Sequence, residues 1–309
     1  MNDVDNKLLN DLPDAKHNVV LRDYVSLKVG GVADYFYIAR DIGELTRAVT
    51  AAYKNQIPYF ILAGGYNVVP SDSGFPGLVI KNESSNIVFG SGASTAIVDS
   101  GVHTSKLINL AASRDLGGLE FLFGVPGTVG GAIYGNAGAF NYEIGDFVKS
   151  VTLLIPQDGK ILTETKPGDW MNFSYRSSRL KTSYKDQIFK PVILTVTLQL
   201  VQRRKDEIMR LVHDNLKQKR QNQPLEERSA GSFFKNPDKY AAGYLLEEVG
   251  AKKLRAGGAS FSKKHANFLV NKKNATASDV RELAEKAKEL VGEKFNIPLE
   301  EEIEYIGRW

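Results

Sequence analysis

The chain has 309 residues, 42% hydrophobic and 25% charged, a composition expected of two or three packed units with ample length to bury a core. It has no cysteine, which excludes disulfides and thiolate chemistry, and its four histidines, His17, His103, His213 and His265, stand in no paired ligand spacing, so no metal centre is expected. The net charge of +4 is spread along the chain, which suits an anionic small ligand better than a nucleic-acid surface.

The first twenty residues carry acids and no apolar core of the kind a signal peptide has, and no long apolar run follows elsewhere. A cytoplasmic chain without membrane contact is the expectation. Asp34 to Ile38 reads as a strand, and Asp41 with Glu44 three residues on as a capping box that opens a helix to about Lys54. A second strand, Tyr59 to Leu62, runs into Gly64-Gly65-Tyr66-Asn67. Strand, helix, strand and glycine turn is one way to present backbone amides to phosphate, although a lone glycine pair is a weak signal. Leu78 to Ile80, Ile87 to Phe89 and Ala96 to Val98 read as further strands, and Thr104 to Arg114 as a helix stopped by Gly117-Gly118.

Phe123 to Phe140, with six glycines, one proline and no charged residue, is the most unusual stretch. Each glycine costs roughly 1 kcal/mol inside an element, so no sturdy helix or strand is expected there. One reading is a cradle in which Gly127, Gly130 and Gly131 bring amides to an anionic group; the other is a tight loop packed under the core. Val148 to Ile155 and Lys160 to Glu164 form a hairpin around Gln157-Asp158-Gly159, and Val192 to Val201 is strongly β. At Gln202 the texture changes to charge, which suggests a boundary, and Arg203 to Gln223 reads as an amphipathic helix with Ile208, Leu211, Val212 and Leu216 on its apolar face. Then follow a loop at Gly231-Ser232-Phe233-Phe234, a helix near Ala241 to Val249, a strand at Phe268 to Val270, a helix from Ala277 to about Lys294 capped by Thr276 and Asp279, and a closing strand at Glu302 to Ile306.

Three places are able to carry chemistry. Arg176, in Tyr175-Arg176-Ser177-Ser178, is suited to a developing carboxylate or enolate, which a guanidinium meets with two parallel hydrogen bonds; a solvated strand end is the equal alternative. Ser232, between glycine and two phenylalanines, suits proton transfer in a water-poor pocket with Asn236 as a polar clamp, against the alternative of a turn with a hydrophobic anchor. Among Glu300, Glu301 and Glu302, most often a plain acidic face, one buried member is able to serve as acid or anchor. His265 reads as a structural histidine.

Taken in order, Ser26 to Asp34, Gly64 to Asn67, Gly124 to Gly131, Asn136 to Ala139, Tyr175 to Ser178, Gly231 to Pro237, His265 to Phe268 and Leu299 to Gly307 closely resemble the UDP-N-acetylenolpyruvoylglucosamine reductase family, over nearly the whole chain. The resemblance implies an α+β fold: an FAD-binding domain of the vanillyl-alcohol-oxidase type made of two α/β lobes, over 21–95 and 96–202, after an extension at 1–20, and a smaller C-terminal substrate-binding domain over 203–309. It implies FAD and NADPH as cofactors and a UDP-sugar as substrate, in a monomer that binds neither nucleic acid nor membrane and works in peptidoglycan precursor synthesis. Hydride would reach the β-carbon of an enolpyruvyl ether, Arg176 and Glu302 would stabilise the resulting enol, and Ser232 would deliver a proton to the α-carbon. Gly64, Gly65, Tyr66, Asn67, Val68, Pro126, Gly127, Thr128, Gly130, Gly131, Asn136, Ala137 and Gly138 would hold FAD; Tyr175, Lys219 and Asn236 would bind substrate.

With no added segment between Lys181 and Val192, the chain resembles the family's shorter subtype, which lacks a loop whose tyrosine folds over substrate. Several positions depart from the pattern. Tyr66 stands for a usual serine, Pro70 interrupts a usually apolar strand, Asn222 replaces a lysine, and Glu301 and Glu304 replace a proline and an arginine. Lys219 or Arg220 are the candidates for the missing charge. A paralogue that binds without turnover, and an FAD oxidase with another substrate, are the competing expectations.

Overall fold

A computed structural model of the chain describes residues 3–92 and 94–309, so the first two residues of the expected N-terminal extension lie outside that range. Its mixture of helices and strands is of the α+β class expected. The chain forms two compact units: one from Met1–His17, Tyr35–Gly64 and Gly77–Lys217, the other from Asn18–Asp34, Gly65–Pro76 and Gln218–Trp309.

The first unit has two lobes. In one, the strands Lys16–Val20, Val32–Ala39, Phe75–Asn82 and Tyr59–Leu62 lie in that order, the last two parallel, and one end of each of the first three is counted with the second unit. The helix Ile42–Lys54 starts where Asp41 accepts the Glu44 N–H (2.7 Å), while the Glu44 carboxylate reaches back one residue further than a capping box requires, to the Arg40 N–H (2.8 Å). Its Leu45, Ala48, Val49 and Ala52 recur at helical spacing and are buried with Tyr35, Tyr37, Leu78 and Ile80. Leu8 and Leu12, on and just after the helix Asp3–Asp11, complete that core.

The second lobe is a five-stranded sheet in the order Lys160–Pro167, Val148–Gln157, Val192–Gln199, Thr95–Asp99, Ile87–Phe89. Its neighbouring strands are all antiparallel. Asp158 and Gly159 have φ of 50° and 75°, the left-handed pair that a two-residue hairpin turn matched to strand twist needs. Helices Thr104–Ala112 and Val129–Tyr134 join its core through Leu107, Ile108, Val129 and Ile133.

The predicted helix after Gln202 spans Lys205–Asn222, and the seam between the units does not fall at its start. Ile208 and Val212 are buried in the first unit's core, Leu211 is exposed and Leu216 half-buried. At 100° per residue, Ile208, Val212 and Lys219 share one narrow stripe and Leu211 falls to its side. The change to charge at Gln202 marks the solvent face of this helix.

In the second unit, Ser229–Ser232, Phe268–Asn271, Ala259–Phe261 and Arg255–Ala256 form an antiparallel sheet in that order. The helix Ala277–Phe295 buries Val280, Leu283, Ala284, Ala287 and Val291, and Thr276 with Asp279 forms the expected capping box. Asp72 adds a second cap, accepting from the Ala277 N–H, the Ser278 N–H and the Ser278 hydroxyl, each at 2.8 Å. The closing strand is shorter than predicted: Glu304–Ile306 pairs in parallel with Val68–Pro70. Pro70 does not break that pairing, because it is the last strand residue and the Ser71 N–H supplies the bond to Ile306 (2.8 Å). No described helix is long and apolar enough to cross a membrane.

Candidate active site

The glycine-rich stretch folds differently from expectation, since Val129–Tyr134 is a helix of six residues with Gly130 and Gly131 inside it. The Thr128 hydroxyl caps it, accepting the Gly131 N–H at 3.4 Å, and close packing explains the glycine at 130. A Cβ on Gly130 would stand 2.8 Å from the Ser100 Cβ and 2.9 Å from its carbonyl oxygen. The Gly130 amide, predicted to face an anion, is donated to that Ser100 carbonyl (2.8 Å). Gly127 has φ of 145° with nothing within 4 Å of a built Cβ, so backbone conformation, not space, keeps it glycine. At Gly131 the nearest atoms would be the Ala63 Cβ at 3.6 Å and the Thr128 hydroxyl at 3.8 Å, which is ordinary contact. Neither packing nor φ demands glycine there.

The end of the stretch meets Arg176. Ser174 and Ser177 exchange backbone hydrogen bonds of 3.1 and 3.0 Å, closing a turn in which Arg176 has φ of 53°. Arg176 Nη2 donates to the Gly138 carbonyl (2.8 Å), its Nη1 lies 3.8 Å from Glu143 Oε1, and the guanidinium sits 4.9 Å from the Tyr175 ring. The side chain is 19% exposed, so the solvated strand end is excluded as a reading. Asn136 Nδ2 donates to Glu143 Oε2 (2.6 Å) and to the Ser174 carbonyl (2.9 Å), and its Oδ1 accepts the Gly145 N–H (3.0 Å). Its amide side chain is therefore committed to the scaffold. The first unit thus brings Thr128, Gly130 and Gly131 together, and gathers Asn136, Gly138 and Arg176 around Glu143, with Tyr175 against the Arg176 guanidinium.

In the second unit, Ser232 ends its strand opposite Phe268, half-buried, beside the fully buried Phe233 and Phe234. Asn267 clamps the phenylalanine pair: its Oδ1 accepts the Phe234 N–H (2.9 Å) and its Nδ2 donates to the Phe234 carbonyl (2.8 Å). Glu302 is close by in the fold, since its N–H donates to the Phe233 carbonyl (2.8 Å) and its own carbonyl accepts Asn67 Nδ2 (3.1 Å). Asn67, with φ of 61°, also takes the Glu304 N–H (2.9 Å) on its carbonyl, and Val68 pairs opposite Glu304. Neighbouring acids have other partners, Glu300 with Lys235 (3.0 Å) and Glu301 with the Tyr305 hydroxyl (3.0 Å) and Lys288 (3.8 Å).

Of the two candidates for a cation near Asn222, Arg220 is exposed and Lys219 is 5% exposed, its pKa pushed down by burial to about 8. Asn236 accepts the Ala242 N–H on Oδ1 (2.9 Å), capping the helix Ala242–Glu248, and Tyr66 is 39% exposed. His265 accepts the Asn267 N–H at 3.1 Å, and burial holds its pKa below the ordinary histidine value. Arg176 belongs to the first unit, Ser232 and Glu302 to the second.

Two residues escaped the sequence reading. Glu143 is the first charge after a long uncharged stretch, and Lys81 is a lysine inside the apolar run of Phe75–Asn82. Lys81 Nζ donates to the Ala63 carbonyl (2.9 Å), and burial lowers its pKa. Each interruption was a visible signal whose partner was not.

Residues 33–165 match the FAD binding domain, and residues 223–306 match the C-terminal domain of UDP-N-acetylenolpyruvoylglucosamine reductase. The UDP-N-acetylenolpyruvoylglucosamine reductase of Clostridium novyi is 39% identical over 99% of this chain and 97% of its own length. That of Syntrophomonas wolfei is 34% identical, over 94% and 95%. The crystal structure of the Thermus caldophilus reductase superposes with a TM-score of 0.77 at 33% identity, covering 94% of this chain and 98% of that one. The chain belongs to the UDP-N-acetylenolpyruvoylglucosamine reductase family.

Proposed function

We propose that this chain is an NADPH-dependent FAD enzyme that reduces UDP-N-acetylglucosamine enolpyruvate to UDP-N-acetylmuramate in peptidoglycan precursor synthesis. The observation that carries the reading is the 39% identity to a reductase of that name over 99% of the chain. The stretch that matches an FAD binding domain includes Gly64 to Val68 and Pro126 to Gly138, and the C-terminal match includes Ser232, Asn236 and Glu302. The cradle fits FAD: no packing or φ constraint explains Gly131, so its bare face is left for a group that needs close backbone approach.

Bound FAD supplies hydride transfer from NADPH to the enolpyruvyl β-carbon. The rest falls to the protein. Gly64, Gly65, Tyr66, Asn67 and Val68 would hold the diphosphate, and Pro126, Gly127, Thr128, Gly130, Gly131, Ala137 and Gly138 would shape the flavin wall, with Asn136 bracing the Arg176 turn and Glu143. Arg176 offers a planar fork to the two oxygens of the substrate carboxylate, which a lysine would meet only as a point charge. Glu302 acts as acid or anchor for the enol formed from the substrate. Ser232 passes its proton to the α-carbon; a serine is a weak acid in water but gives up its proton to an adjacent carbanion-like centre where solvent is excluded. Tyr175, Lys219 and Asn236 bind the UDP-sugar.

The same proposal assigns flavin binding to 21–95 and 96–202 and sugar binding to 203–309, with the start of the helix Lys205–Asn222 serving as scaffold. It takes the protein as a cytoplasmic monomer of the shorter subtype.

The test is direct. The purified protein should absorb near 450 nm, and its NADPH oxidation should accelerate when the enolpyruvyl sugar is added. A colourless protein that cannot be reconstituted with FAD refutes the proposal; activity only after Asn222→Lys would make the native chain a binding paralogue.

A further inference from the structure

We infer that Glu143, held by Asn136, is a positioning residue for Arg176, an inference that rests on the proposed role of that arginine at the substrate carboxylate. An arginine keeps its charge at all working pH values, so its orientation is what the protein is able to tune. Here the orientation is over-determined. Arg176 projects from a closed turn at φ of 53°, with Nη2 bonded to Gly138 and Nη1 beside Glu143. Gly138 and Glu143 face each other in the two-residue ladder Gly138–Ala139 with Tyr142–Glu143, so the two groups that receive the guanidinium share one rigid ladder.

Asn136 is 1% exposed and joins all the parts. Its two donors fix the Glu143 carboxylate and the first carbonyl of the arginine's turn, and its acceptor fixes Gly145. Three polar bonds on a buried amide satisfy it without a ligand, which is why its side chain acts on the cofactor site only through other residues. The distances also suit the role. Glu143 Oε1 stands 3.8 Å from Nη1, near enough to orient the guanidinium charge without the two parallel hydrogen bonds of a bidentate carboxylate.

The experiment uses FAD-loaded protein with Glu143→Ala and Glu143→Gln, and follows each half-reaction separately. Glu143→Ala should slow reoxidation of the flavin by the enolpyruvyl sugar about 10- to 100-fold, as loss of a group that orients a reacting residue does. Flavin content and the NADPH half-reaction should stay within about twofold. Glu143→Gln, which keeps an acceptor for Asn136 but removes the charge, should fall between Glu143→Ala and the native protein. In an Arg176→Lys background, Glu143→Ala should add little, because the effect passes through the guanidinium.

An independent readout is nitrogen-15 NMR of the guanidinium groups in the protein without FAD, assigned with Arg176→Lys. Rotation of the Arg176 group should quicken in Glu143→Ala. Equal slowing of both half-reactions, additive effects in the Arg176→Lys background, or unchanged rotation overturns the inference. If native protein shows no turnover, the failure is that of the proposed function, and the rotation measurement still decides whether Glu143 holds Arg176.

Discussion

Replacing Gly131 with alanine separates glycines kept for packing from those kept for a ligand. At Gly130 the added Cβ would press to 2.8–2.9 Å on Ser100, including the carbonyl that already receives the Gly130 N–H, so relief would require moving backbone. Such overpacking costs about 1–3 kcal/mol. At Gly131 the same methyl would find atoms no nearer than 3.6 Å, inside a helix where alanine is favoured over glycine by about 0.5–1 kcal/mol. In a chain of this size that gain corresponds to a rise in Tm of about 1–3 °C. A flavin lying on the bare backbone would nevertheless be pushed outward, and a gap of 0.5–1 Å forfeits about a quarter to a half of each dispersion contact. FAD should therefore bind at least about tenfold more weakly, roughly 1.4 kcal/mol. Thermal melts of the apoprotein and fluorescence titration with FAD measure both quantities. Gly130→Ala should lower Tm, and Gly131→Ala should hold or raise it while weakening FAD. If Gly131→Ala binds FAD as the native chain does, the cradle is not the flavin wall.

Ser232→Ala should leave flavin reduction by NADPH nearly intact and slow the second half-reaction by about 10²–10⁴-fold, measured by stopped flow; equal slowing of both halves would make Ser232 structural. Lys219 has a pKa of about 8 in the fold against 10.5 in the open chain, so its cation should help bind the UDP-sugar below pH about 8 and lose that effect above it. The KM for the sugar should climb above that pH, and Lys219→Met should flatten the profile; parallel profiles would remove Lys219 from the site. The sign for stability is opposite: between pH 8 and 10.5 the unfolded chain binds more protons, so the Lys219 contribution to stability improves as pH rises through that window. Asp72→Ala removes three acceptor contacts from the start of the helix Ala277–Phe295 and should cost about 1–2 kcal/mol. Faster hydrogen exchange at Ala277 and Ser278 with a lower Tm is the expected result, and unchanged exchange would show that Thr276 suffices.

What was legible in the sequence was local. Asp41 and Thr276 announce helix starts because a side-chain acceptor satisfies an amide two or three residues away, and Asp158-Gly159 announces a hairpin because both residues tolerate left-handed backbone. The ordered motifs were legible for the same reason, each being a short run whose chemistry is self-contained. Partners distant along the chain were not. That Gly130 rests on Ser100, that Lys219 turns inward while Leu211 turns out, and that Glu143 stands beside Arg176 were settled by packing, since each depends on which remote segment fills the adjacent space. The sequence by itself determined most of the elements and the kinds of group on offer, though not the helix Val129–Tyr134 or the strand Ser229–Ser232; the tertiary structure alone decided which of them meet, because a side chain's environment comes from atoms that its neighbours in sequence do not supply.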